Sequence, residues 1–166
     1  MRYGILVTAQ GVLLTAEVAS FLESGLVLFV ATRDAALLPS GAPAAGLRVG
    51  PDGRHVTVFL PVRPAARVIE DLRANGELAV TASRPIDYRT LQLKGRVVRL
   101  GPAPEEDAAF VRAYRASFAA QLGKVGWVPA QANGIVSWPC VAAELAVREL
   151  FEQTPGPRAG ARLDPA

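Results

Sequence analysis

Three short apolar runs decide the fold of this chain: Leu26-Val-Leu-Phe-Val-Ala-Thr32, Ala44-Ala-Gly-Leu-Arg-Val49 and Val56-Thr-Val-Phe-Leu60. Each has the length of a strand, and aliphatic and aromatic residues dominate it. Between the first two runs, residues 38–43 contain two prolines and a glycine, and they are predicted to form a connecting turn. Residues 51–53, Pro-Asp-Gly, predict a tight connection to the third run.

A short helix and two more strands follow these runs. Apolar residues recur at helical spacing within residues 64–75, and Asn75-Gly76 is a typical helix end. Residues 77–83 and 89–100 then predict the fourth and fifth strands. Because strands and helices do not alternate along the chain, their order favours an antiparallel barrel with one inserted helix over a parallel sheet.

The flanking segments complete the predicted architecture. Residues 15–25 predict a short helix with Thr15 as its N-cap, and residues 105–123 predict the longest helix. An irregular loop is expected over residues 126–139. The alternation of apolar and polar residues predicts a last strand over residues 141–150.

The composition is typical of a globular protein. Half of the 166 residues are hydrophobic (51%), and a fifth are charged (20%). We expect a single domain over residues 1–166, with a core over about 15–150 and a tail over 151–166 that is rich in proline and glycine. No apolar run reaches the ~20 residues that a membrane helix requires, and no signal-like segment is evident, so we expect a cytoplasmic protein that does not bind a membrane.

The single cysteine and the single histidine limit the side-chain chemistry. Cys140 cannot form an intrachain disulfide, and a small core residue is the favoured interpretation for it. His55 follows a turn and is more typical of an exposed hairpin residue than of a base. Without a Cys/His cluster, no metal site is predicted. The net charge of +3 comes from scattered arginines, which does not favour nucleic-acid binding.

Common catalytic motifs are missing from the sequence. It contains no Gly-x-Ser-x-Gly elbow, no phosphate-binding P-loop and no Gly-x-Gly-x-x-Gly after a strand. With a single histidine, the sequence also offers few residues from which a catalytic triad could form. Any redox chemistry would therefore need a cofactor that the protein binds and orients.

The order of these elements resembles the pyridoxamine 5′-phosphate oxidase-like family of flavin-binding split barrels. Two short motifs add to the resemblance: Ala66-Arg67-Val68 at the start of the inserted helix, and Gly95-Arg96-Val97 in the fifth strand. The resemblance covers roughly residues 15–150. It implies an FMN-binding split β-barrel, antiparallel and Greek-key-like, that forms a homodimer with FMN at the subunit interface.

The resemblance implies a phosphate site at the start of the inserted helix. In the family this helix often opens Ser-Arg-Lys, so Arg67 carries over as a phosphate ligand, while the serine and the lysine do not. Arg63, one helical turn earlier, is the candidate replacement for the lysine. The alternative is that both arginines are solvated on the helix surface, with Glu70 and Asp71 as pairing partners.

The resemblance also implies that two strands contact the flavin ring or phosphate. Gln92 and Lys94 share one face of the fifth strand, and Arg48 lies on the second strand next to the small residues 44–46, which would let a flat ring approach. A row of polar residues is equally typical of the solvent face of an antiparallel strand. The small residues are equally compatible with tight packing of the sheet.

Together with the resemblance, these residues predict an FMN-dependent oxidoreductase that acts on an unidentified small molecule. One alternative is a deazaflavin-dependent reductase, which would suit the incomplete phosphate motif. Another is a non-catalytic split barrel that has lost its cofactor or binds haem, with His55 as the candidate axial ligand. Pyridoxamine phosphate oxidase activity itself is disfavoured, because the C-terminal Arg-Leu-x-x-Arg-like segment of such enzymes is not evident in the tail.

Overall fold

The computed structural model describes residues 7–8, 11–128 and 137–163. Within these residues the strands are β1 (Val7–Thr8), β2 (Gly11–Val12), β3 (Val27–Arg33), β4 (Pro39–Pro43), β5 (Gly46–Val49), β6 (His55–Pro61), β7 (Glu77–Ser83), β8 (Thr90–Pro102) and β9 (Cys140–Glu152). The helices are α1 (Ala16–Leu22), α2 (Ala66–Asn75) and α3 (Ala108–Lys124), and a 3₁₀ turn (Glu105–Asp107) precedes α3.

Seven of these strands form one antiparallel sheet, in the order β4-β3-β7-β8-β9-β6-β5. β3 pairs with β7 and β6 pairs with β9, so strands that are distant in sequence become neighbours. β8 and β9, each of 13 residues, pair along most of their length. The prediction of an antiparallel sheet rather than a parallel one is confirmed.

A continuous piece of chain joins the two edges of this sheet. β4 pairs with β3 and β5 pairs with β6, and only residues 44–45 separate β4 from β5. The amide of Ala44 donates to the carbonyl of Leu28 on β3 (3.0 Å), while the amide of Ala45 donates to the carbonyl of Phe59 on β6 (2.8 Å). The sheet therefore curls round on itself and forms the expected split β-barrel.

Residues 38–43 are a correction to the sequence prediction, because they form the edge strand β4 and not a turn. An edge strand tolerates proline, which has no amide hydrogen to donate to a second neighbour. The turn lies just before, where Oδ1 of Asp34 accepts hydrogen bonds from the amides of Ala36 (2.8 Å) and Leu38 (3.0 Å). Proline and glycine at these positions are therefore compatible with an edge strand as well as with a turn.

The predicted helices and their ends are close to those observed. Thr15 accepts a hydrogen bond from the amide of Val18 (3.3 Å) as the N-cap of α1, and Gly76 ends α2 in the left-handed conformation, with φ of 70°. The buried side of α3 includes Tyr114, whose hydroxyl donates to the carbonyl of Leu22 (2.9 Å) and accepts from the amide of Leu26 (3.2 Å). α3 thereby holds the connection between α1 and β3.

Of the predicted tail, residues 151–152 belong to β9, whereas residues 153–163 form no helix or strand and pack against β9. The amide of Leu163 donates to the carbonyl of Leu150 (2.7 Å), and a single bridge joins Phe151 to Arg162. Most of the irregular loop predicted over residues 126–139 falls on residues 129–136, outside the described residues. Across the described ranges, no helix is both long enough and apolar enough to cross a membrane.

Candidate functional site

One side of the sheet, formed by β3, β7, β8 and the end of β9, points away from the barrel interior. Two rows of side chains cross these four strands in register. The first row is Phe29, Thr81, Gln92 and Phe151, and the second is Ala31, Ala79, Lys94 and Glu149. We call these two rows, with Val27, the outer face.

The part of the outer face that β3 contributes is apolar. Phe29 is 55% exposed and Val27 is also exposed, while the alternating residues Leu28 and Val30 are buried in the core. The solvent side of an antiparallel strand normally carries polar residues, so an apolar outward row indicates a surface that something covers. The run Val27-Leu-Phe-Val-Ala31, apolar on both faces, was the sequence signal for this feature.

A groove of about 390 Å³ lies on the second row, with small residues as its floor. Ala31, Ala79 and Gly95 line it together with Lys94 and Arg148. Small side chains leave the backbone close to the surface, so a flat molecule can approach the strands there.

The two predicted residues of β8 are arranged differently in this region. Nε2 of Gln92 donates to Oγ1 of Thr81 (3.0 Å), which orients the side-chain amide across the sheet. Nζ of Lys94 lies 4.8 Å from the ring centre of Phe151. Among the described residues, no ion pair involves Lys94.

The carboxylates beside Lys94 are paired with arginines instead. Glu149 lies 2.9 Å from Arg162, and Glu77 lies 3.2 Å from Arg96 and 3.9 Å from Arg148. Around the groove, two carboxylates are therefore accompanied by four basic side chains, those of Lys94, Arg96, Arg148 and Arg162.

Arg67, the predicted phosphate ligand, is in contact with several carboxylates. Its Nε lies 3.1 Å from Oδ2 of Asp71, its Nη2 lies 3.0 Å from Oδ2 of Asp34, and its Nη1 lies 4.0 Å from Glu70. The Asp71 side chain is only 5% exposed, and its Oδ2 also accepts a hydrogen bond from Ser40 (2.7 Å). We call these five residues the α2 cluster.

Arg63 lies in the turn before α2 and not within the helix. Its carbonyl accepts a long hydrogen bond from the amide of Ala66 (3.4 Å), and its side chain is exposed. No ion pair among the described residues involves Arg63. The helix itself starts at Ala66, two residues later than the sequence predicts.

Arg48 lies at a third place, where β5 meets the 3₁₀ turn and α3. Its Nη1 is 2.7 Å from Oδ1 of Asp107, and its guanidinium stacks on the ring of Phe110 at 4.2 Å. The structure therefore brings Gln92 and Lys94 together, places Arg63 and Arg67 at the start of α2, and holds Arg48 against α3.

The small residues 44–46 serve the packing of the barrel, which was the second of their two interpretations. Ala44 and Ala45 are buried, and a Cβ atom at Gly46 would lie 3.5 Å from the ring of Tyr114. Cys140 is likewise a core residue beside Phe59, and burial raises the pKa of its thiol to about 12. A thiol that stays protonated at neutral pH is a poor nucleophile.

His55 forms an exposed pair with a neighbouring carboxylate. Its Nδ1 lies 2.5 Å from Oδ2 of Asp52. Although desolvation opposes the shift, hydrogen bonds from the amides of Arg54 and His55 and from the imidazole lower the pKa of Asp52 to about 2. No group of three metal-binding side chains occurs within the part of the chain that the structure describes.

Comparison with known proteins places this chain in a family. A model of the family described as pyridoxamine 5′-phosphate oxidase matches residues 14–153. Because the match spans most of the chain, the protein belongs to that family. No curated protein matches the chain.

Solved structures share the fold at low sequence identity. A putative pyridoxamine 5′-phosphate oxidase from Lactobacillus delbrueckii has a TM-score of 0.52 and 15% identity, over 90% of this chain and 99% of that one. An F420 reductase has a TM-score of 0.51 and 18% identity, over 79% and 93%. An FMN-binding protein from Syntrophomonas wolfei has a TM-score of 0.50 and 9% identity, over 80% and 81%.

Proposed function

We propose that the protein binds FMN against the outer face and acts as an FMN-dependent oxidoreductase on a small molecule. The outer face is the observation that carries this proposal, because it combines exposed apolar side chains with an oriented amide and an ammonium that forms no ion pair within the described part of the chain. Membership in the family supports the proposal. So does the occurrence of FMN binding and of F420 reduction in proteins of the same fold.

The small residues and the oriented amide of the outer face suit the ring of a flavin. Ala31 and Ala79 leave room for a flat ring, and the Gln92 amide offers both a donor and an acceptor to the polar edge of such a ring. We do not assign the phosphate to Arg67 or Arg48, because carboxylates already pair with both guanidinium groups. A bound flavin would supply hydride transfer at its N5, while the protein binds and orients the substrate.

A second copy of this chain is the partner that we propose for the outer face. Phe29 and Val27 would be buried by a facing subunit, and the groove beside Lys94 would then be closed from solvent. We also propose a cytoplasmic location, which the single, buried Cys140 supports.

Titration of the purified protein with FMN, followed by visible absorption, tests the cofactor. Saturable binding with a perturbed flavin spectrum is expected, and parallel titrations with a deazaflavin cofactor and with haem serve as comparisons. Binding of either of these in place of FMN would contradict the cofactor proposed here. Binding of none of them would remove the basis for an oxidoreductase.

Sedimentation velocity on a Phe29→Glu variant tests the interface. We expect the wild type to sediment as a dimer and the variant as a monomer, because a two-fold axis would bring two new charges into an apolar contact. The matched control is Val125→Glu, at another exposed apolar residue, which follows α3. A Phe29→Glu variant that stays dimeric would place the interface elsewhere.

A further inference from the structure

We infer that Arg67 does not hold the phosphate of the cofactor but fastens α2 to the turn after β3 and, through Asp71, to β4. We further infer that Lys94 is the side chain that meets the negatively charged end of the cofactor. The second part rests on the proposed flavin site, whereas the first part depends only on the geometry of the α2 cluster.

Two of the three guanidinium nitrogens of Arg67 already hydrogen-bond to carboxylates. Nε and Nη2 bind two different carboxylates, Asp71 on its own helix and Asp34 in the turn after β3. Asp71 in turn accepts a hydrogen bond from Ser40 on β4. Arg67 thus links α2 directly to the turn after β3, and Asp71 extends this link to β4. Such contacts are typical of a residue in a structural ion-pair network.

The charge at this end of α2 is unfavourable for a phosphate. Arg67 faces three carboxylates, and a phosphomonoester would bring a further charge of about −1.5 to −2 at neutral pH. If Arg67 turned towards such a ligand, the buried carboxylate of Asp71 would keep only the hydroxyl of Ser40 as a partner. A buried charge without its counter-ion is strongly destabilising. Two further cations lie near this cluster: the exposed Arg63, and Arg33, whose Nη1 donates to the carbonyl of Asp34 (3.1 Å). Three arginines thus accompany three carboxylates, and no positive charge is left in excess for a phosphate.

The balance of charges around Lys94 is the opposite of that around Arg67. Arginines already neutralise Glu77 and Glu149, and the groove also receives Arg148. The ammonium of Lys94 lies over the ring of Phe151, inside a groove that has room for part of a ligand. An anionic group on the outer face would therefore meet Lys94 without displacing an existing ion pair.

Comparison of FMN with riboflavin isolates the phosphate, because the two molecules carry the same ring. Dissociation constants for both are measured by quenching of flavin fluorescence, in the wild type and in Lys94→Gln, Arg67→Gln and the double variant Arg67→Gln/Asp71→Asn. For Lys94→Gln we expect about tenfold weaker binding of FMN, a typical effect of losing one charge-assisted contact, with riboflavin changed less than about twofold.

Both Arg67 variants should keep the wild-type ratio of the two dissociation constants. Arg67→Gln should also lower the melting temperature by roughly 10 °C, because it leaves the buried carboxylate of Asp71 without its counter-ion. The double variant removes that charge, so it provides a folded protein if the single variant does not fold.

The outcomes separate this inference from the proposed function. A selective loss of FMN affinity in the double variant, or an unchanged ratio in Lys94→Gln, would overturn the inference. If the wild type binds neither flavin, the proposed function fails and the role of Lys94 fails with it. The role of Arg67 would still be decided by melting, since an unchanged melting temperature in Arg67→Gln would refute it.

Discussion

The α2 cluster and the groove of the outer face are both places where a basic residue was expected to meet an anionic cofactor. In the α2 cluster, a single guanidinium is shared by carboxylates from its own helix and from the turn after β3. In the groove, arginines pair with the carboxylates, and the ammonium of Lys94 forms no ion pair among the described residues. The difference teaches that the charge balance around a basic residue, and not its match to a motif, decides whether it can bind an anion.

The two places also differ in how far their charged side chains are buried, which changes the free-energy cost of removing a charge. The side chain of Asp71 is almost fully removed from water, whereas Lys94 is exposed. Removing one partner of a buried pair leaves an uncompensated charge, while removing an exposed charge leaves only water behind. The two basic residues should therefore respond very differently to the same substitution.

The largest expected effect is a loss of stability in Arg67→Gln. We expect a decrease of about 3 kcal/mol in the free energy of unfolding, because the buried side chain of Asp71 loses its counter-ion. The matched control is Lys94→Gln, for which we expect a change within about 0.5 kcal/mol, as is usual for an exposed residue. Urea denaturation followed by circular dichroism measures the free energy of unfolding of both variants. Equal losses of stability would contradict the expected difference between the two residues.

A smaller effect is expected from Arg67→Gln/Asp71→Asn, which tests whether the stranded charge is the cause. The double variant should regain roughly half of the lost stability, which corresponds to a coupling energy of about 1–3 kcal/mol between the two residues. The cycle is completed with Asp71→Asn alone. Additive losses would mean that Arg67 stabilises the fold through packing of its stem and not through the ion pair.

The smallest effect is expected at Asp52, whose pair with His55 is exposed. Its pKa is lowered from 3.8 to about 2 in the folded protein, so its contribution to stability is present above pH 4 and is lost as the pH falls towards 2. For Asp52→Asn we expect a loss below about 0.5 kcal/mol at pH 6, because solvent screens the pair. Urea denaturation at pH 6, 4 and 3 should show the difference from wild type shrinking, and a growing difference would contradict the assignment.

Local patterns in the sequence were sufficient for most of the fold. Apolar runs predicted β3, β6 and β7 to within one residue at each end, since side chains on a strand alternate between core and exterior. The cap at Thr15 and the left-handed Gly76 marked two helix ends for local reasons. The strand β4 was missed because proline and glycine are ambiguous until the neighbour of the strand is known.

The sequence by itself determined an antiparallel barrel, its inserted helix and the basic residues available for a cofactor, because these depend on periodicity and on local backbone preferences. Only the tertiary structure decided which of those residues remain available. Asp34 reaches Arg67 across 33 positions and Asp107 reaches Arg48 across 59, contacts that no local pattern contains. Charge balance is a property of neighbours in space, and the folded chain chooses those neighbours.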